Sequence, residues 1–377
     1  MSITEEPITL DEPTISGRSL WQDALVRLRR NKAAMTSLFI LVVMAVASLV
    51  GPLVWPHPYD RVYSEYVRVP ASLEAYPHEE RIVPEMERSL SRARVDVASV
   101  EVEGDKVRAE ITDDDEVDPR ITRYVDRSDL FSNAKIAETS ADGRSAVLEA
   151  DVARLYFIAG TDGNGRDLLA RIFMAIRISL AIGLLATVVA LMIGVAYGAT
   201  AGYLGGRVDN VMMRLVDVLY SLPFIFFVIL LVVFFGRNFV LMFIAVGAIE
   251  WLDMARIVRG QTLSLKRREF VEAAEALGVS NAGIVRRHII PNVLGPVAVY
   301  MTLLVPKVIL LESFLSFLGL GVQEPLTSLG VLISEGAKNM QGASWLLLYP
   351  SIALALILFS LNFIGDGLRD ALDPKDR

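Results

Sequence analysis

Charged side chains inside otherwise apolar segments are the groups of this chain best suited to bind an ion or a polar ligand. Lys307 and Glu312 interrupt the segment 292–318, which carries no other charge. A charge facing lipid costs about 2.5–3.5 kcal/mol on insertion scales, so we expect both side chains to face the interior of a helix bundle and to pair with each other. Two roles stay open: lining the path of a charged substrate, or forming a structural ion pair with a neighbouring subunit.

Two acidic residues lie in a second apolar segment. Glu250 and Asp253 stand toward the end of residues 239–255, beside Arg256 and Arg259 and near the predicted inner interface of the membrane. We expect these four residues to pair locally rather than to form a pathway for ions.

The sequence offers no group of residues for covalent catalysis. Cysteine is absent, which excludes disulfides, thiolate metal sites and cysteine nucleophiles. The three histidines, His57, His78 and His288, are too scattered to suggest a metal cluster. Because neither a catalytic triad nor a carboxylate dyad is recognisable, we expect no enzyme and no cofactor in this chain. The net charge of −7 argues against nucleic acid as a partner.

A phosphate-binding loop of the form Gly-x-x-x-x-Gly-Lys-Ser/Thr does not occur in the sequence. The nearest string, residues 160–167, lacks the lysine. If the chain is part of a pump, a partner must therefore supply the nucleotide site.

The separation of apolar from charged residues indicates a membrane protein. Of the 377 residues, 53% are hydrophobic, yet 21% are charged. A bilayer core of roughly 30 Å needs about 20 apolar helical residues. We therefore predict six transmembrane helices, the third kinked at Pro223 and the fourth shorter than the rest. The segments are 33–55, 178–206, 218–236, 239–255, 292–318 and 344–365.

The distribution of Lys and Arg predicts the orientation in the membrane. Basic residues before the first helix, in the loop 256–291 and in the tail place these segments and both termini in the cytoplasm. Arg166, Arg171 and Arg177 precede the second helix and break this rule, so we expect an outer amphipathic helix to carry them. The predicted divisions are a cytoplasmic segment 1–32, a first transmembrane helix 33–56, an extracytoplasmic insert 57–159, a helical core 160–366 and a cytoplasmic tail 367–377.

The insert carries more acidic than basic residues but shows order. Valines alternate from Val95 to Val102, and a second apolar alternation runs from Val107 to Ile111. The sequence Glu103-Gly104-Asp105 between them predicts a β-hairpin. With a helix expected over about 84–94, we predict a small α+β domain. The acidic run 113–116 is expected to be a solvated loop, with a calcium site as the alternative.

Gly194, Gly198 and Gly202 share one face of the predicted second helix. Lipid provides little hydrophobic drive between helices, so close approach of backbones supplies the attraction. We expect these glycines to form a packing seam rather than to take a direct functional role.

The loop between the fourth and fifth helices is the most informative segment. It contains Glu272-Ala273-Ala274, then Gly278, and it ends in His288-Ile289-Ile290-Pro291. Its first residues are strong helix formers, Gly278 permits a turn, and Pro291 suits the start of a membrane helix. The pattern predicts two short helices with a bend, able to dock into a groove on a cytoplasmic partner. An ordinary amphipathic surface loop is the alternative. We expect His288 to dock or cap rather than to act as a proton switch.

This loop resembles the EAA loop of ABC importer permeases, which has Gly six positions after the Glu and ends in Pro. The ending His288-Ile289-Ile290-Pro291 is similar to that of the peptide-importing branch. Four further stretches resemble this branch, the last closely resembling its C-type oligopeptide permease subunits: 17–24, 160–180, 316–325 and 362–375. The resemblance covers residues 17–56 and 156–377.

The resemblance implies a type I ABC importer permease fold with six transmembrane helices, in the inner membrane of a bacterial cell. It implies half of a translocation pathway for peptides, with ATP and Mg bound by partner ATPase subunits. The implied partners are a homologous second permease, two ATPase subunits and an extracytoplasmic solute-binding protein. A cross-linker at Ala274 is expected to capture an ATPase. The residues implied to couple with the ATPase are Glu272, Ala273, Ala274, Gly278, His288 and Pro291.

Two features depart from the family, and two other functions compete. The insert is longer than the usual loop, and Ser328-Leu329-Gly330 stands where Ser-Trp-Gly is expected. An ion- or proton-coupled secondary transporter is the first competitor, with Glu250, Asp253, Lys307 and Glu312 as its relay. A membrane-anchored sensor is the second, but the predicted cytoplasmic segments are too short for a signalling domain.

Overall fold

A computed structural model describes residues 20–236 and 239–372. Residues 17–19 and 373–375, which belong to two of the stretches that carry the resemblance, lie outside the described residues. The described helices are α1 (Leu20–Arg30), α2 (Lys32–Val54), α3 (Glu79–Arg92), α4 (Thr122–Val125), α5 (Leu168–Leu204), α6 (Gly206–Ser221), α7 (Phe224–Phe235), α8 (Phe239–Leu265), α9 (Glu269–Ala276), α10 (Asn281–Ile284), α11 (Ile290–Phe317), α12 (Leu329–Lys338) and α13 (Trp345–Leu372). The described strands are β1 (Asp96–Glu103), β2 (Lys106–Thr112), β3 (Phe131–Thr139) and β4 (Ser145–Val152).

Four of the described helices are long and apolar enough to cross a membrane: α2, α5, α13 and the continuous helix Asn281–Phe317 that contains α10 and α11. A fifth span results if α6 and α7 are taken together, although their axes differ by 86°. Helix α8 carries Glu250, Asp253 and Arg256 near its middle and is not among these spans. Four or five candidate spans are thus shown, and the number six stays a prediction.

The third predicted span, 218–236, is broken rather than merely kinked. Helix α6 ends at Ser221, and Leu222 is extended, with φ −76° and ψ 132°. Pro223 disfavours the helical conformation of the residue before it and has no amide hydrogen for the preceding turn. The chain therefore changes direction here, and α7 continues separately.

Helix α5 begins at Leu168, well before the predicted start of the second span at residue 178. Asp167 caps its first turn, because its Oδ1 accepts a hydrogen bond from the amide of Ala170 at 3.1 Å. Arg171 and Arg177 consequently lie on α5 itself. The expected separate amphipathic helix for these arginines is wrong.

Both arginines are bound by other parts of the chain. The guanidinium of Arg171 is buried and lies 2.5 Å from the carboxylate of Asp162 and 2.6 Å from that of Glu335. Arg177 donates a hydrogen bond to the carbonyl of Ser48 in α2 at 3.0 Å. These contacts satisfy the charge of both arginines within the chain. The two residues can therefore depart from the rule that Lys and Arg collect in cytoplasmic loops.

The insert between α2 and α5 is built on a four-stranded antiparallel sheet with the order β1-β2-β4-β3. The hairpin of β1 and β2 turns at Gly104-Asp105, where Gly104 has a φ of +63°. Helix α3 starts at Glu79, before the predicted position 84, and contributes to a buried core with the sheet. Members of that core are Ile82, Met86, Leu90, Val107, Ala109, Ile111 and Leu148. Among the described residues no group of acidic residues, His or Cys is placed to hold a metal ion.

The two ends of the insert meet at one buried carboxylate, that of Asp167. The indole nitrogen of Trp55 donates to Asp167 Oδ2 at 3.0 Å, and His57 Nδ1 lies 2.6 Å from the same oxygen. Because Asp167 also caps α5, the end of α2, the start of the insert and the start of α5 meet at this residue.

The predicted glycine seam is confirmed as the contact between α5 and α8. A Cβ atom added at Gly198 would lie 2.3 Å from the carbonyl oxygen of Ala255. Atoms added at Gly194 and Gly202 would lie 2.5 Å from Met254 and 2.8 Å from Thr262. Since these distances are shorter than van der Waals contact, the two backbones approach closely only because the side chains are absent.

A methyl group at the seam is expected to destabilise the chain. Gly198→Ala should lower the free energy of unfolding by about 1–3 kcal/mol, because overpacking forces the two helices apart. The measurement is thermal unfolding of the detergent-solubilised protein. Gly260→Ala on α8 is the matched control, since nothing lies within 4 Å of its added Cβ. Equal unfolding temperatures for the two variants would contradict close packing at the seam.

Candidate functional site

The loop after α8 forms a short helix, a sharp bend and a second helix. Helix α9 ends in a Schellman motif: the amide of Gly278 donates to Glu275 O at 2.9 Å, and that of Val279 donates to Ala274 O at 3.1 Å. Gly278 adopts a φ of +74°, which favours glycine because a Cβ atom is strained there. The bend therefore depends on this residue type.

Helix α9 buries one face and exposes the other. Val271 and Ala274, three residues apart, pack into the helical core, where Ala274 is only 5% exposed. The exposed side carries Glu272 and Ala273, and Leu277 beyond its end is 84% exposed. Residues three apart lie on the same face of a helix, and here that face is buried, which disfavours the expected capture of a partner by a cross-linker at Ala274.

Polar side chains fix the loop to the end of α5. The hydroxyl of Tyr203 donates to the carboxylate of Glu275 at 2.9 Å. Lys266 Nζ donates to the carbonyl oxygen of Tyr203 at 2.6 Å. The glycine seam predicts that α5 and the loop are neighbours, but no local pattern in the sequence identifies Tyr203 or Lys266 as the anchors.

Pro291 is the second residue of α11, and the helical segment extends further back along the chain. The helix begins at Asn281, where the hydroxyl of Ser280 caps it by accepting from the amide of Gly283 at 3.3 Å. A π-helical turn, Val285–Ile289, then joins α10 to α11. Such a turn relieves the clash between a proline ring and the carbonyl four residues earlier. Pro291 is therefore in the first turn of α11, as expected, but α11 continues a helix that begins at Asn281.

His288 lies within this π-helical turn and is half-buried. Its ring centroid is 6.5 Å from that of Phe270 in α9. The carbonyl of His288 accepts a hydrogen bond from the side chain of Asn292 at 2.6 Å. The residue thus lies between α9 and α11, and its predicted role in docking is untested by these contacts.

Lys307 and Glu312 do not pair with each other. Five residues turn a helix by about 140° beyond a full turn, so the two side chains leave α11 in different directions. Lys307 Nζ lies 2.8 Å from Glu250 and 2.9 Å from Asp253 on α8. Glu312 is fully buried and accepts a hydrogen bond from the hydroxyl of Ser316 at 2.6 Å. The expected Lys307–Glu312 pair is therefore wrong.

The two arginines of α8 also find other partners than expected. Arg259 binds both carboxylate oxygens of Asp209 in α6 at 2.6 Å. Arg256 lies 2.9 Å from Asp217 in the same helix. The predicted local pairs with Glu250 and Asp253 are wrong, because α8 turns its acidic residues toward α11 and its arginines toward α6.

The acidic residues of α8 and Lys307 line a cavity of about 410 Å³ between α6, α7, α8 and α11. The side chain of Lys307 is 51% exposed and that of Asp253 25%, whereas Glu250 is 3% exposed. The walls are largely apolar and include Leu219, Leu222, Phe227 and Leu311. Of the two residues predicted to line a path, Lys307 borders this cavity and the fully buried Glu312 does not.

Comparison with known proteins identifies two family matches along the chain. Residues 194–377 match the family described as "Binding-protein-dependent transport system inner membrane component". Residues 19–71 match the "N-terminal TM domain of oligopeptide transport permease C".

Two curated relatives align with nearly the whole chain. "Oligopeptide transport system permease protein OppC" of Haemophilus influenzae is 44% identical over 368 residues, which cover 98% of this chain and 93% of that protein. The protein of the same name from Escherichia coli (strain K12) is 46% identical over 363 residues, covering 96% and 94%.

A solved chain of the MetNI methionine ABC transporter, described as inward facing, is 15% identical and has a TM-score of 0.41. The likeness covers 55% of this chain and 96% of that chain.

Removal of the cation in the cavity is expected to destabilise the helix bundle. Lys307→Met leaves Glu250 and Asp253 without their partner and should cost about 2 kcal/mol, less than a fully buried pair because Lys307 is half-exposed. Thermal unfolding in detergent measures the change, with the exposed Lys338→Met on α12 as control. Neutralising all three charges together (Lys307→Met, Glu250→Gln and Asp253→Asn) should recover part of the loss. The same unfolding temperature for Lys307→Met and Lys338→Met would show that the ion pairs contribute nothing.

Proposed function

The chain belongs to the family of binding-protein-dependent transport permeases, in its oligopeptide permease branch, and on this premise we propose that it forms half of the membrane pathway of an ATP-driven peptide importer. The two curated relatives are oligopeptide permeases, and their alignment with this chain covers almost their entire length. ATP and Mg bind to separate ATPase subunits. A homologous second permease completes the pathway, and an extracytoplasmic binding protein delivers the peptide.

The observation that carries this proposal is the anchored, bent loop with one exposed face. Glu272, Ala273 and Leu277 are exposed on it, whereas Val271 and Ala274 fix it to the helical core. A partner groove that receives the exposed face can push on the loop without first ordering it. We therefore assign this surface, together with Gly278, His288 and Pro291, to the contact with the ATPase subunit.

A continuous helix connects this surface with the cavity. Asn281–Phe317 starts three residues after Gly278 and contains Lys307, whose ammonium binds the acidic residues of α8. Movement of the loop when ATP closes the ATPase subunits would therefore displace one wall of the cavity relative to the others. Coupling of this kind requires that both sites bias the same two-state element, here the position of Asn281–Phe317 against α8.

This function fixes an orientation for the chain. The loop after α8 and both termini lie in the cytoplasm, and the insert 57–159 lies on the outer side of a bacterial inner membrane. Basic residues in the loop support the assignment through the positive-inside rule.

The rival secondary transporter lacks a connected relay. In the described part of the chain, Glu312 hydrogen-bonds to serines on α5 and α11, and no hydrogen bond joins it to Lys307, Glu250 or Asp253. The experiment that separates the two functions is transport by the reconstituted complex after ATP depletion. Loss of uptake supports the ATP-driven importer, whereas uptake that persists and stops when the ion gradient is collapsed supports the rival.

Cross-linking from single cysteines should map the docking face of α9. The chain contains no native cysteine, so Ala273→Cys, Ala274→Cys and Asp114→Cys each give one reactive position. A bifunctional reagent is expected to capture an ATP-hydrolysing subunit from Ala273→Cys, because that residue is exposed. The buried Ala274 position and the exposed Asp114 position in the insert should yield little or no product. Equal capture from Ala273→Cys and Asp114→Cys would contradict the assigned surface.

A proline at the bend is expected to uncouple the loop. Gly278→Pro replaces a φ of +74° by about −65° and removes the hydrogen bond to Glu275, so ATP hydrolysis stimulated by peptide and binding protein should fall about tenfold or more. Gly278→Asn is the matched control, since asparagine tolerates the left-handed conformation, and it should retain most of the stimulation. If peptide and binding protein still stimulate ATP hydrolysis normally in Gly278→Pro, the loop does not take part in coupling.

A further inference from the structure

The cavity between α6, α7, α8 and α11 contains one cation and two anions. Glu250 and Asp253 are three residues apart on α8 and face the single ammonium of Lys307 at 2.8 and 2.9 Å. With all three groups ionised, the cluster carries one net negative charge. A structural ion pair that only stabilises the fold has no need of a second carboxylate.

The cluster lies well inside a candidate membrane span. Lys307 is ten residues from the end of α11 at Phe317, about 15 Å along the helix at 1.5 Å per residue. That is half of the roughly 30 Å thickness of the hydrocarbon core. Ionisable groups at this depth face a cavity or each other, and they mark the pathways of polar substrates.

Exposure to the cavity separates the cluster from a closed ion pair. About half of the Lys307 side chain and a quarter of the Asp253 side chain are exposed, whereas Glu250 is almost completely buried. The surrounding walls from Leu219, Leu222, Phe227 and Leu311 are apolar. A ligand that enters the cavity therefore meets an apolar surface with one polar, negatively charged spot.

We propose that Glu250 and Asp253 form a binding site for a primary ammonium group of the transported peptide, and that Lys307 occupies this site when no peptide is present. This inference rests on the proposed function and specifies how its cavity recognises substrate. An ionised carboxylate in a membrane is costly without a cation or hydrogen-bond donors beside it. Exchange of the Lys307 ammonium for that of the peptide replaces one such group by another, so neither carboxylate is left bare.

The site would recognise a peptide by its ammonium group and not by its side chains. Each unmodified peptide has an α-ammonium group, whatever its sequence. Lys307, once displaced, is free to approach the peptide carboxylate on its half-exposed side. The site thus selects a feature that is common to peptides, and the apolar walls accept variable side chains.

The test compares uptake of trialanine, N-acetyl-trialanine and N-acetyl-Ala-Lys-Ala by the complete complex in proteoliposomes. The measured quantity is the ratio of the KM for N-acetyl-trialanine to the KM for trialanine. The binding protein also influences this ratio, but its contribution is the same for every permease variant and cancels between them. Asp253→Asn is expected to reduce the ratio about tenfold relative to the wild type, because a charge-assisted hydrogen bond is lost.

Two further variants serve as controls, and a third gives a second test of the ammonium site. Asp253→Glu keeps the carboxylate and should keep the wild-type ratio. Asp217→Asn removes a carboxylate that pairs with Arg256 outside the cavity and should leave the ratio unchanged. Lys307→Gln removes the competing cation and should increase the ratio, which decides the question if Asp253→Asn fails to assemble.

An unchanged ratio in the assembled cavity variants would overturn the proposal. If N-acetyl-Ala-Lys-Ala regains the affinity lost on acetylation, the site accepts a side-chain ammonium as well as the N-terminal one; if it does not, the N-terminal ammonium is the ligand. Stimulated ATP hydrolysis is measured in the same preparations. Normal hydrolysis with an unchanged ratio would reject the ammonium site while leaving the proposed function intact.

Discussion

The close approach of α5 and α8 is the constraint on which both the loop and the cavity depend. Gly198 brings the backbone of α5 against the carbonyl of Ala255, and Gly202 faces Thr262 one turn further on. In lipid, where apolar surface alone gives little attraction between helices, such contact fixes two helices against each other. Its position decides where α8 presents its charged residues and where the chain leaves α8 to form the loop.

Helix α8 distributes its charges between two neighbours. Its acidic residues Glu250 and Asp253 bind Lys307 of α11, whereas Arg256 and Arg259 bind aspartates of α6. Each of these charges therefore pairs with a residue of a neighbouring helix and not with another residue of α8. The ion pairs consequently link three helices at the cavity, and any movement of α11 against α8 has to break or exchange the contacts of Lys307.

Local features of the fold follow from the sequence, whereas the partners of charged residues do not. The glycine seam, the hairpin at Gly104 and the bend at Gly278 are encoded by a few adjacent residues and their backbone preferences. The partners of Lys307 and Arg259 come from helices distant in sequence, and only the packing of those helices selects them. The burial of Ala274 is a similar case, because sequence defines α9 but not which of its faces meets the core. Helix α5 starts ten residues before the predicted position 178, because apolar composition marks the lipid-facing part of a helix and not its capping residue, Asp167.

The meeting of Trp55, His57 and Asp167 at one carboxylate has a consequence for how such a chain varies. The insert of roughly a hundred residues begins and ends at a single point of the helical scaffold. The spacing of α2 and α5 therefore does not depend on the length of the insert between them. Insertions are tolerated where the ends of the inserted unit lie close together. The α+β unit between α2 and α5 is therefore modular: its length and surface are free to diverge while the two flanking helices stay in register.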